Sequence, residues 1–443
     1  MVNPIPLWRQ LQATASVLLA VRNGRSLTPA LAQVATELRP GVQALVFAVL
    51  RGLGTAQALR GQLARKAPPP AADALLCTVL ALACEEPAPY EPHTLVDQAV
   101  EAAKRTAATR NQAAFINGCL RRYLREHADL HSAVASDLVA QWNHPSWWIK
   151  RLQKDHPHTW QVSLQANNRR APLVLRINER KTSQAGMKRS LFAMNLEALT
   201  IGSHGLMLAR AVAVTGLPGY SEGHFSVQDA AGQMAAPLLL EGLASRDRPL
   251  RVLDACAAPG GKTAHLLELA DCEVTALDID PERCKRIDEN LARLGLSAKV
   301  LAFDAAQPDR WWPQHCASEP FDAILLDAPC TASGIVRRHP DVRWLRRESD
   351  IAQLAAQQRR LLAALWPLLA PGGRMLYCTC SVFRAEGDEQ VQTFLAHHTD
   401  ALLHPSPGHL LPHTAVAGAK LPDNALCDND GFFYALLEKK RMD

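Results

Sequence analysis

The feature that most constrains the fold of this chain is a regular alternation of apolar runs and helical periodicity from Pro249 onward. Such alternation is typical of buried parallel strands joined by crossover helices, which form a doubly wound α/β domain. Ligands in such domains bind at the carboxyl ends of the strands, so the chemistry is expected there. A His/Pro-rich piece at 404–413 is predicted to be a loop. The predicted strands are 252–256, 274–280, 300–304, 321–327 and 375–380. One predicted helix follows the first strand and ends near residue 270, and two others span 281–294 and 351–369.

The chain before this domain divides into two further parts. Apolar residues in 41–53 and 115–124 recur at helical spacing, and no convincing strand precedes residue 138, which predicts an all-helical domain over 1–140. The segment Asn-His-Pro-Ser-Trp-Trp at 143–148 breaks this pattern. We therefore predict a small α+β module over 141–245, with strands at 173–178 and 224–229, and the α/β domain over 246–443.

Positive charge is concentrated in the first half of the chain. Residues 1–250 contain 27 lysines and arginines against 17 acidic residues, whereas 251–443 contain 21 against 26. This asymmetry favours a nucleic-acid-binding part joined to a catalytic part, with a solvated surface as the alternative. The most basic stretch contains Glu179 and seven cations: Arg169, Arg170, Arg176, Arg180, Lys181, Lys188 and Arg189.

Composition excludes several classes of protein. Hydrophobic residues make up 48% of the chain, which excludes general disorder, and no apolar run approaches the roughly 18 residues of a membrane span. The first nine residues lack the order of a signal peptide, so a cytoplasmic protein is expected. The eleven cysteines, scattered from Cys77 to Cys427, favour free thiols over a disulfide framework.

The first predicted strand of the α/β domain leads into a glycine-containing turn, LDACAAPGGKT at 253–263, ahead of a helix. Gly260 and Gly261 lack Cβ atoms, so the backbone here can turn sharply and approach a ligand closely. The helix N-terminus then faces an anionic or carboxylate-bearing cofactor. The spacing matches neither a dinucleotide fingerprint nor a P-loop, which disfavours pyrophosphate. A structural tight turn is the alternative.

Acidic residues end the second and third predicted strands of this domain. Asp278 is placed to accept hydrogen bonds from both hydroxyls of a ribose. Asp280 directly precedes Pro281 and fits a helix N-cap better. Asp304 is placed either to bond an adenine amino group or to cap the following helix.

Two cysteines, Cys330 and Cys380, follow the fourth and fifth predicted strands and are expected to meet at one crevice. A thiolate that adds to carbon 6 of cytosine makes carbon 5 nucleophilic enough to attack a methyl sulfonium. A second cysteine nearby is a candidate helper for removing the carbon 5 proton. No metal is expected, because the Cys-x-Cys spacing lacks a second pair. Other cysteines are most simply buried apolar filler: Cys256, Cys272, Cys284 and Cys378.

Several motifs, each at the end of its strand, resemble those of the Nop2/Sun (Fmu) family of RNA cytosine-5 methyltransferases. The N-terminal part is similar to the NusB-type RNA-binding helical domain, so the resemblance covers essentially the whole chain. It implies a Rossmann-like SAM methyltransferase domain, preceded by an all-α NusB-like domain and a small α+β RNA-binding module. The matching segments are PGGKT at 259–263, DAPC at 327–330, TCS at 379–381, RRHPD at 337–341, WLRR at 344–347 and FINGCLR at 115–121.

This resemblance implies roles for individual residues, with S-adenosylmethionine (SAM) as the cofactor. Cys380 is the implied nucleophile, and Cys330 is implied to help release the product. Thr331 stands where serine is usual in the family, and because a hydroxyl is kept, we expect little effect. The implied cofactor-binding residues are the loop Cys256, Ala257, Ala258, Pro259, Gly260, Gly261 and Lys262, together with Asp278, Asp304 and Asp327.

The implied reaction is methylation of carbon 5 of a cytosine in 16S rRNA. The same chemistry on tRNA or on another rRNA site is an alternative. A non-catalytic RNA-binding ribosome assembly factor is an alternative of another class, against which the presence of Cys330, Cys380 and the glycine loop argues. We expect a cytoplasmic monomer that binds RNA and neither DNA nor membranes.

Overall fold

The computed structural model of the protein describes residues 5–243, 247–413 and 428–441. The chain forms two compact units, of which the first comprises Met1–Arg170 and Val336–Glu348, and the second Ala171–Ile335 and Ser349–Asp443. The predicted boundary at 245/246 lies outside the described residues, as does Cys427.

The first unit is helical, as predicted for 1–140, and it also includes two helices, Ser146–Asp155 and Trp160–Asn167, that lie within the predicted 141–245 module. The predicted apolar stripe at 41–53 does not belong to one helix, because α3 ends before Gly52 and α4 follows it at 72°. In the described ranges, no helix by itself has the length and apolar composition to cross a membrane. Only α3 and α4 taken together have the length and composition of a span, and they are bent by 72°. The helices are α1 (Leu7–Arg22), α2 (Leu27–Ala32), α3 (Arg39–Arg51), α4 (Leu53–Leu63), α5 (Pro70–Ala83), α6 (Pro92–Arg105), α7 (Ala113–Arg125), α8 (His127–Val134), α9 (Leu138–Trp142), α10 (Ser146–Asp155) and α11 (Trp160–Asn167).

The segment Val336–Glu348 also belongs to the first unit, although it follows the predicted catalytic motif DAPC in sequence. Asp341 accepts a hydrogen bond of 2.8 Å from the backbone N–H of Leu27 at the start of α2. Arg343 is fully buried, and burial together with the nearby Arg51 lowers its pKa to about 9. Its guanidinium donates to oxygens near the ends of α9 and α11: Asn143 O, Asn167 O and Asn168 Oδ1.

The second unit begins with a small antiparallel sheet of order β2-β3-β1-β4. The predicted strands at 173–178 and 224–229 are both confirmed. The elements are β1 (Leu173–Ile177), α12 (Gln184–Phe192), β2 (Ala198–Ile201), β3 (Gly205–Leu208) and β4 (Phe225–Val227).

The larger part of the second unit is a seven-stranded sheet of order β10-β11-β9-β8-β5-β6-β7. The predicted strands and helices of the α/β domain are found within a few residues of their expected bounds, except that β9 begins at Leu369, six residues before the predicted 375 and where the helix 351–369 was expected to end. The elements are α13 (Ala235–Leu240), β5 (Leu250–Asp254), α14 (Gly261–Leu269), β6 (Cys272–Asp278), α15 (Pro281–Leu294), β7 (Lys299–Ala302), α16 (Trp312–Cys316), β8 (Phe321–Asp327), α17 (Val342–Leu345, in the first unit), α18 (Glu348–Leu365), β9 (Leu369–Thr379), α19 (Asp388–His397), β10 (Ala401–Leu410) and β11 (Phe432–Lys439).

The order of the strands places a crevice between β5 and β8. Strands β5, β6 and β7 run outward in one direction, and the chain then returns to β8 on the other side of β5, all in parallel. At such a reversal the loops after adjacent strands diverge and leave room for a ligand. The predicted doubly wound α/β fold is therefore confirmed.

The predicted loop at 404–413 is wrong, because most of it forms the edge strand β10. Pro405 and Pro407 lack the N–H that a central strand needs, which is why this stretch resembled a loop. The strand tolerates them because it lies at the sheet edge and its register with β11 shifts between His404 and Gly408.

A buried ion pair connects the small sheet to helix α14, which follows β5 of the larger sheet. Arg176 on β1 donates from Nε and Nη2 to the two carboxylate oxygens of Glu268 on α14, at 3.0 and 2.9 Å. Its Nη1 also donates to the backbone oxygen of Gly261, at 2.6 Å. Arg180 donates to the backbone oxygens of Glu268 and Ala270. These two cations of the basic stretch therefore stabilise the second unit, and Arg176, which is fully buried, does not reach the surface.

We expect Glu268→Ala to lower the free energy of unfolding by about 3–5 kcal/mol, because it leaves the buried Arg176 guanidinium without its carboxylate. Glu101→Ala, which removes the exposed Arg105–Glu101 pair of α6, should cost less than about 1 kcal/mol and serves as the control. Urea-induced unfolding measures both. Equal effects would contradict a structural role for the buried pair.

Candidate active site

A cleft of about 250 Å³ opens at the carboxyl ends of the five parallel strands β5 to β9. The structure brings seven of the twelve predicted site residues to its wall. These are Cys256, Ala258, Asp278, Asp304, Asp327, Cys330 and Cys380.

The other five predicted residues lie in the glycine loop but do not line the cleft: Ala257, Pro259, Gly260, Gly261 and Lys262. Gly260 caps the N-terminus of α14 with φ of +92°, a left-handed conformation that favours glycine. A Cβ at this position would also lie 3.1 Å from the Ile287 backbone. The loop therefore packs closely against α15, and only Cys256 and Ala258 of it line the cleft.

Asp278 lies at the end of β6, buried, and faces the cleft. Its Oδ2 accepts a hydrogen bond from the backbone N–H of Ala258, and Arg283 lies 3.2 Å from its Oδ1. Asp280 instead accepts a hydrogen bond from the backbone N–H of Glu282 and caps α15, as predicted. The two neighbouring carboxylates therefore have different surroundings, and only Asp278 reaches the cleft.

Asp304 lies in the cleft, where its predicted contact with an adenine amino group stays a prediction, and it does not cap the following helix, whose N-cap residue is Gln307. It lines the cleft, and its Oδ1 accepts a hydrogen bond of 2.9 Å from the backbone N–H of Ala306 in the turn after β7. Its Oδ2 accepts a hydrogen bond from Gln307 and lies 3.5 Å from Arg360.

Lys262 and Asp327 form an ion pair of 2.6 Å beside the cleft. Burial acts to lower the pKa of Lys262, but Asp327 together with the nearby thiols of Cys378 and Cys380 outweighs it, so the pKa is raised and the ammonium stays charged. The thiol of Cys378 is fully buried and donates to the other oxygen of Asp327 at 3.6 Å. Cys378 thus lies behind the cleft wall rather than in it.

Cys330 and Cys380 form a thiol pair, with their sulfurs 3.4 Å apart. The hydrogen bond to Cys380, and after it burial, raises the pKa of Cys330 well above the usual thiol range, so Cys330 is protonated at neutral pH. The backbone N–H of Gly334 donates to the Cys380 carbonyl at 2.9 Å, which ties the two loops together. In the described ranges, no three His, Cys, Asp or Glu side chains are grouped as metal ligands.

The cleft also contains residues that sequence reasoning missed. Arg283 in the first turn of α15 contacts Asp278, and Phe303 follows β7. Gln357 and Leu361 project from one face of α18, four residues apart. The sequence predicted site residues from their positions at strand ends, and residues within a helix have no such position. Gln357 and Leu361 are therefore recognised as cleft residues only from the location of α18 in the structure. The one available signal for Phe303 was its place directly before Asp304.

Three family profiles match consecutive parts of the chain. The NusB family matches residues 9–125, the ferredoxin-like domain of RsmF/B-like methyltransferases matches 144–215, and the family described as 16S rRNA methyltransferase RsmB/F matches 242–438. Proteins called ribosomal RNA small subunit methyltransferase B are similar over nearly the whole chain. The protein from Pasteurella multocida is 39% identical, covering 96% of this chain and 95% of its own, and that from Vibrio vulnificus is 38% identical, covering 97% and 99%.

Solved structures share the fold. The crystal structure of PH0851 has a TM-score of 0.74 and 24% identity, covering 98% of this chain and 99% of its own. A methyltransferase homologue from Pyrococcus horikoshii has a TM-score of 0.55 and 25% identity, covering 68% and 97%.

The sheet order, the cleft at the strand ends and these similarities define a Rossmann-like methyltransferase with a NusB-type helical domain and a ferredoxin-like module. The chain belongs to the RsmB/F family of 16S rRNA methyltransferases.

Asp254, at the end of β5 below the glycine loop, provides a pH test of this site. It is fully buried and accepts a hydrogen bond of 2.6 Å from the Thr263 hydroxyl. Burial raises its pKa to about 7, against the opposing effect of that hydrogen bond.

We expect Asp254 to contribute a fall in stability as pH rises from about 4 to 7, because the folded state holds a proton on Asp254 that the unfolded state releases near pH 4. This contribution is of the order of 4 kcal/mol at most. Asp254→Asn removes the titrating group and should flatten the decline. Urea unfolding at pH 5 and pH 8 measures the difference, and an unchanged decline in the variant would contradict it.

Proposed function

We propose that this protein transfers a methyl group from SAM to carbon 5 of a cytosine in 16S rRNA through a covalent bond between Cys380 and the base. The observation that carries the proposal is the thiol pair Cys330 and Cys380 in a cleft that also contains Asp278 and Asp304. One cleft then contains both a nucleophile and polar groups suited to a nucleoside cofactor.

The residues of the cleft fit SAM. Asp278 is suited to accept hydrogen bonds from the ribose hydroxyls, and Asp304 from the adenine amino group. Ile279 and Phe303, which also line the cleft, offer apolar contact for the base. The loop 256–262 and Asp327 complete the proposed cofactor site. When bound, SAM supplies the electrophilic methyl group.

Cys380 is the proposed nucleophile because it is the more exposed member of the thiol pair. Its thiolate adds to carbon 6 of cytosine, which moves electron density to carbon 5 and enables carbon 5 to accept the methyl group. Cys330, which holds its proton at neutral pH, stabilises this thiolate through their hydrogen bond.

The properties of Cys330 change once Cys380 is bonded to the ring. The hydrogen bond to Cys380 and its charge are two of the three leading causes of the raised pKa of Cys330, and both disappear in the adduct. The pKa of Cys330 then falls, although burial and the Glu386 charge continue to raise it. The minor thiolate form of Cys330 is the proposed base: it removes the carbon 5 proton, the bond from carbon 6 to sulfur breaks, and 5-methylcytosine and the Cys380 thiolate are released.

The proposed RNA partner is supported by the family and by the basic first half of the chain. The relatives are called small subunit methyltransferases, which favours 16S rRNA over tRNA or another rRNA site. We propose that domains 1–140 and 141–245 bind this RNA, that 246–443 performs the chemistry, and that the protein acts in the cytoplasm as a monomer. Mapping 5-methylcytosine in cells with and without the protein distinguishes the RNA targets.

We expect Cys380→Ala to abolish methyl transfer with SAM affinity unchanged, because this thiol acts on the base. Cys330→Ala should instead accumulate a protein–RNA adduct that survives denaturing gel electrophoresis, because the ring stays bonded to Cys380. Cys378→Ala is the matched control and should turn over normally, since this thiol lies behind the wall of the cleft. Normal turnover by Cys330→Ala without any adduct would remove Cys330 from the mechanism.

We expect Asp278→Ala to weaken SAM binding by about 1–3 kcal/mol, tenfold or more, through lost ribose hydrogen bonds. Asp280→Ala, which removes only the cap of α15, should leave the affinity nearly unchanged. Isothermal titration calorimetry measures both. A larger loss of affinity in Asp280→Ala than in Asp278→Ala would show that the ribose is bound by Asp280 and that the assignment to Asp278 is wrong.

A further inference from the structure

Glu386 is a fully buried carboxylate near the thiol pair, in the turn between β9 and α19, and the mechanism above does not use it. Its Oε1 accepts hydrogen bonds from the backbone N–H of Thr331 at 2.9 Å and from Gln358 Nε2 at 3.1 Å. Its Oε2 accepts from the hydroxyls of Thr331 and Ser381, at 2.5 and 2.6 Å. Each carboxylate oxygen therefore has two donors, all of them uncharged.

Such a group is costly to keep as packing alone. Burial raises the pKa of Glu386, and the hydrogen bonds from Ser381 and Thr331 oppose that rise. An apolar side chain of similar volume would fill the space without desolvating a carboxylate. The desolvation cost of this carboxylate indicates that Glu386 serves to hold its four hydrogen-bond donors in place, rather than only to fill volume.

The donors occupy revealing positions in the sequence. Thr331 directly follows Cys330, and Ser381 directly follows Cys380. One carboxylate thus holds the residues after both cysteines of the thiol pair. The hydroxyls of Ser333 and Ser381, 3.0 Å apart, link the same two loops.

We propose that Glu386 is a positioning residue for methyl transfer, whose carboxylate fixes the loops after β8 and β9 so that Cys330 remains within hydrogen-bonding distance of Cys380. The effect on turnover rests on the proposed function, whereas the geometry of the thiol pair does not. Thr331, which stands where serine is usual in the family, agrees with this role, because threonine and serine both supply the hydroxyl that donates to Glu386.

The first test compares turnover in matched variants. Glu386→Ala removes the acceptor, and we expect kcat to fall by about a hundredfold or more, since small displacements of reacting groups cost rates of that order, while SAM affinity is unchanged. Glu386→Gln should recover most of the rate. Its amide oxygen accepts from the Thr331 N–H and from Gln358, and its amide nitrogen donates to the two hydroxyls. Glu389→Gln, an exposed change on α19, is the control.

A second pair of variants covers the case in which Glu386→Ala does not fold. Thr331→Val has nearly the shape of threonine but lacks the hydroxyl, and we expect it to lower kcat more than Thr331→Ser, which keeps the donor. Equal kcat values for these two variants would overturn the proposal.

The second test measures the geometry without any methyl transfer. Diamide takes two electrons and two protons from a thiol pair and leaves a disulfide, so its rate of reaction with Cys330 and Cys380, mapped by peptide mass spectrometry, reports how close the sulfurs stay. We expect this disulfide to form quickly in the wild type and in Glu386→Gln, and more slowly in Glu386→Ala and Thr331→Val.

Wild-type turnover and disulfide rates in Glu386→Ala would overturn the positioning role. Glu386→Gln as inactive as Glu386→Ala, with a normal disulfide rate, would also overturn it, because charge rather than position would then matter. The proposed function would be contradicted if the wild type methylated no RNA. The positioning role would still stand in that case if the disulfide formed faster in the wild type than in Glu386→Ala.

Discussion

The parallel alignment of β5, β8 and β9 is the constraint on which the rest of the site depends. These strands are neighbours in the sheet and run in the same direction, so their carboxyl ends lie side by side. The glycine loop, the DAPC motif and the TCS motif therefore lie together at one edge of the sheet. Residues more than a hundred positions apart, such as Cys256 and Cys380, then line a single cleft. Alignment by backbone hydrogen bonds brings the segments together, and side-chain contacts place the reactive atoms within them.

Buried polar contacts supply that finer placement. Arg176 contacts the start of α14 through Gly261 and its last turn through Glu268, and Lys262 on the same helix pairs with Asp327 at the end of β8. Desolvation makes each contact costly to leave half-formed, so the members are held in defined positions. The second unit therefore joins its small sheet to α14 through Arg176 and Glu268, which have no role in the proposed reaction, whereas Lys262 and Asp327 belong to the proposed cofactor site.

Much of this architecture could be predicted from the sequence, and the failures have identifiable causes. The strand-helix alternation identified β5 to β9 because buried parallel strands are uniformly apolar. It missed β10, whose prolines are tolerated only at a sheet edge, and β11, which pairs antiparallel at the end of the chain. Motifs at strand ends identified Asp278 and the thiol pair. They could not identify Arg283, because a helical arginine resembles any solvated cation, or Arg176, whose burial depends on a partner 92 residues away.

The central claim is that Cys380 bonds covalently to the target cytosine. An RNA fragment of the 16S substrate with fluorine in place of hydrogen at carbon 5 tests it most directly, because the last proton removal becomes impossible and the adduct is trapped. We expect a denaturation-resistant complex that forms only with SAM, with mass spectrometry locating the nucleotide on the peptide that contains Cys380 and its sulfur as the point of attachment. Attachment at Cys330 or Cys378, or methylation of unmodified RNA with no trapped complex from the fluorinated one, would contradict the account.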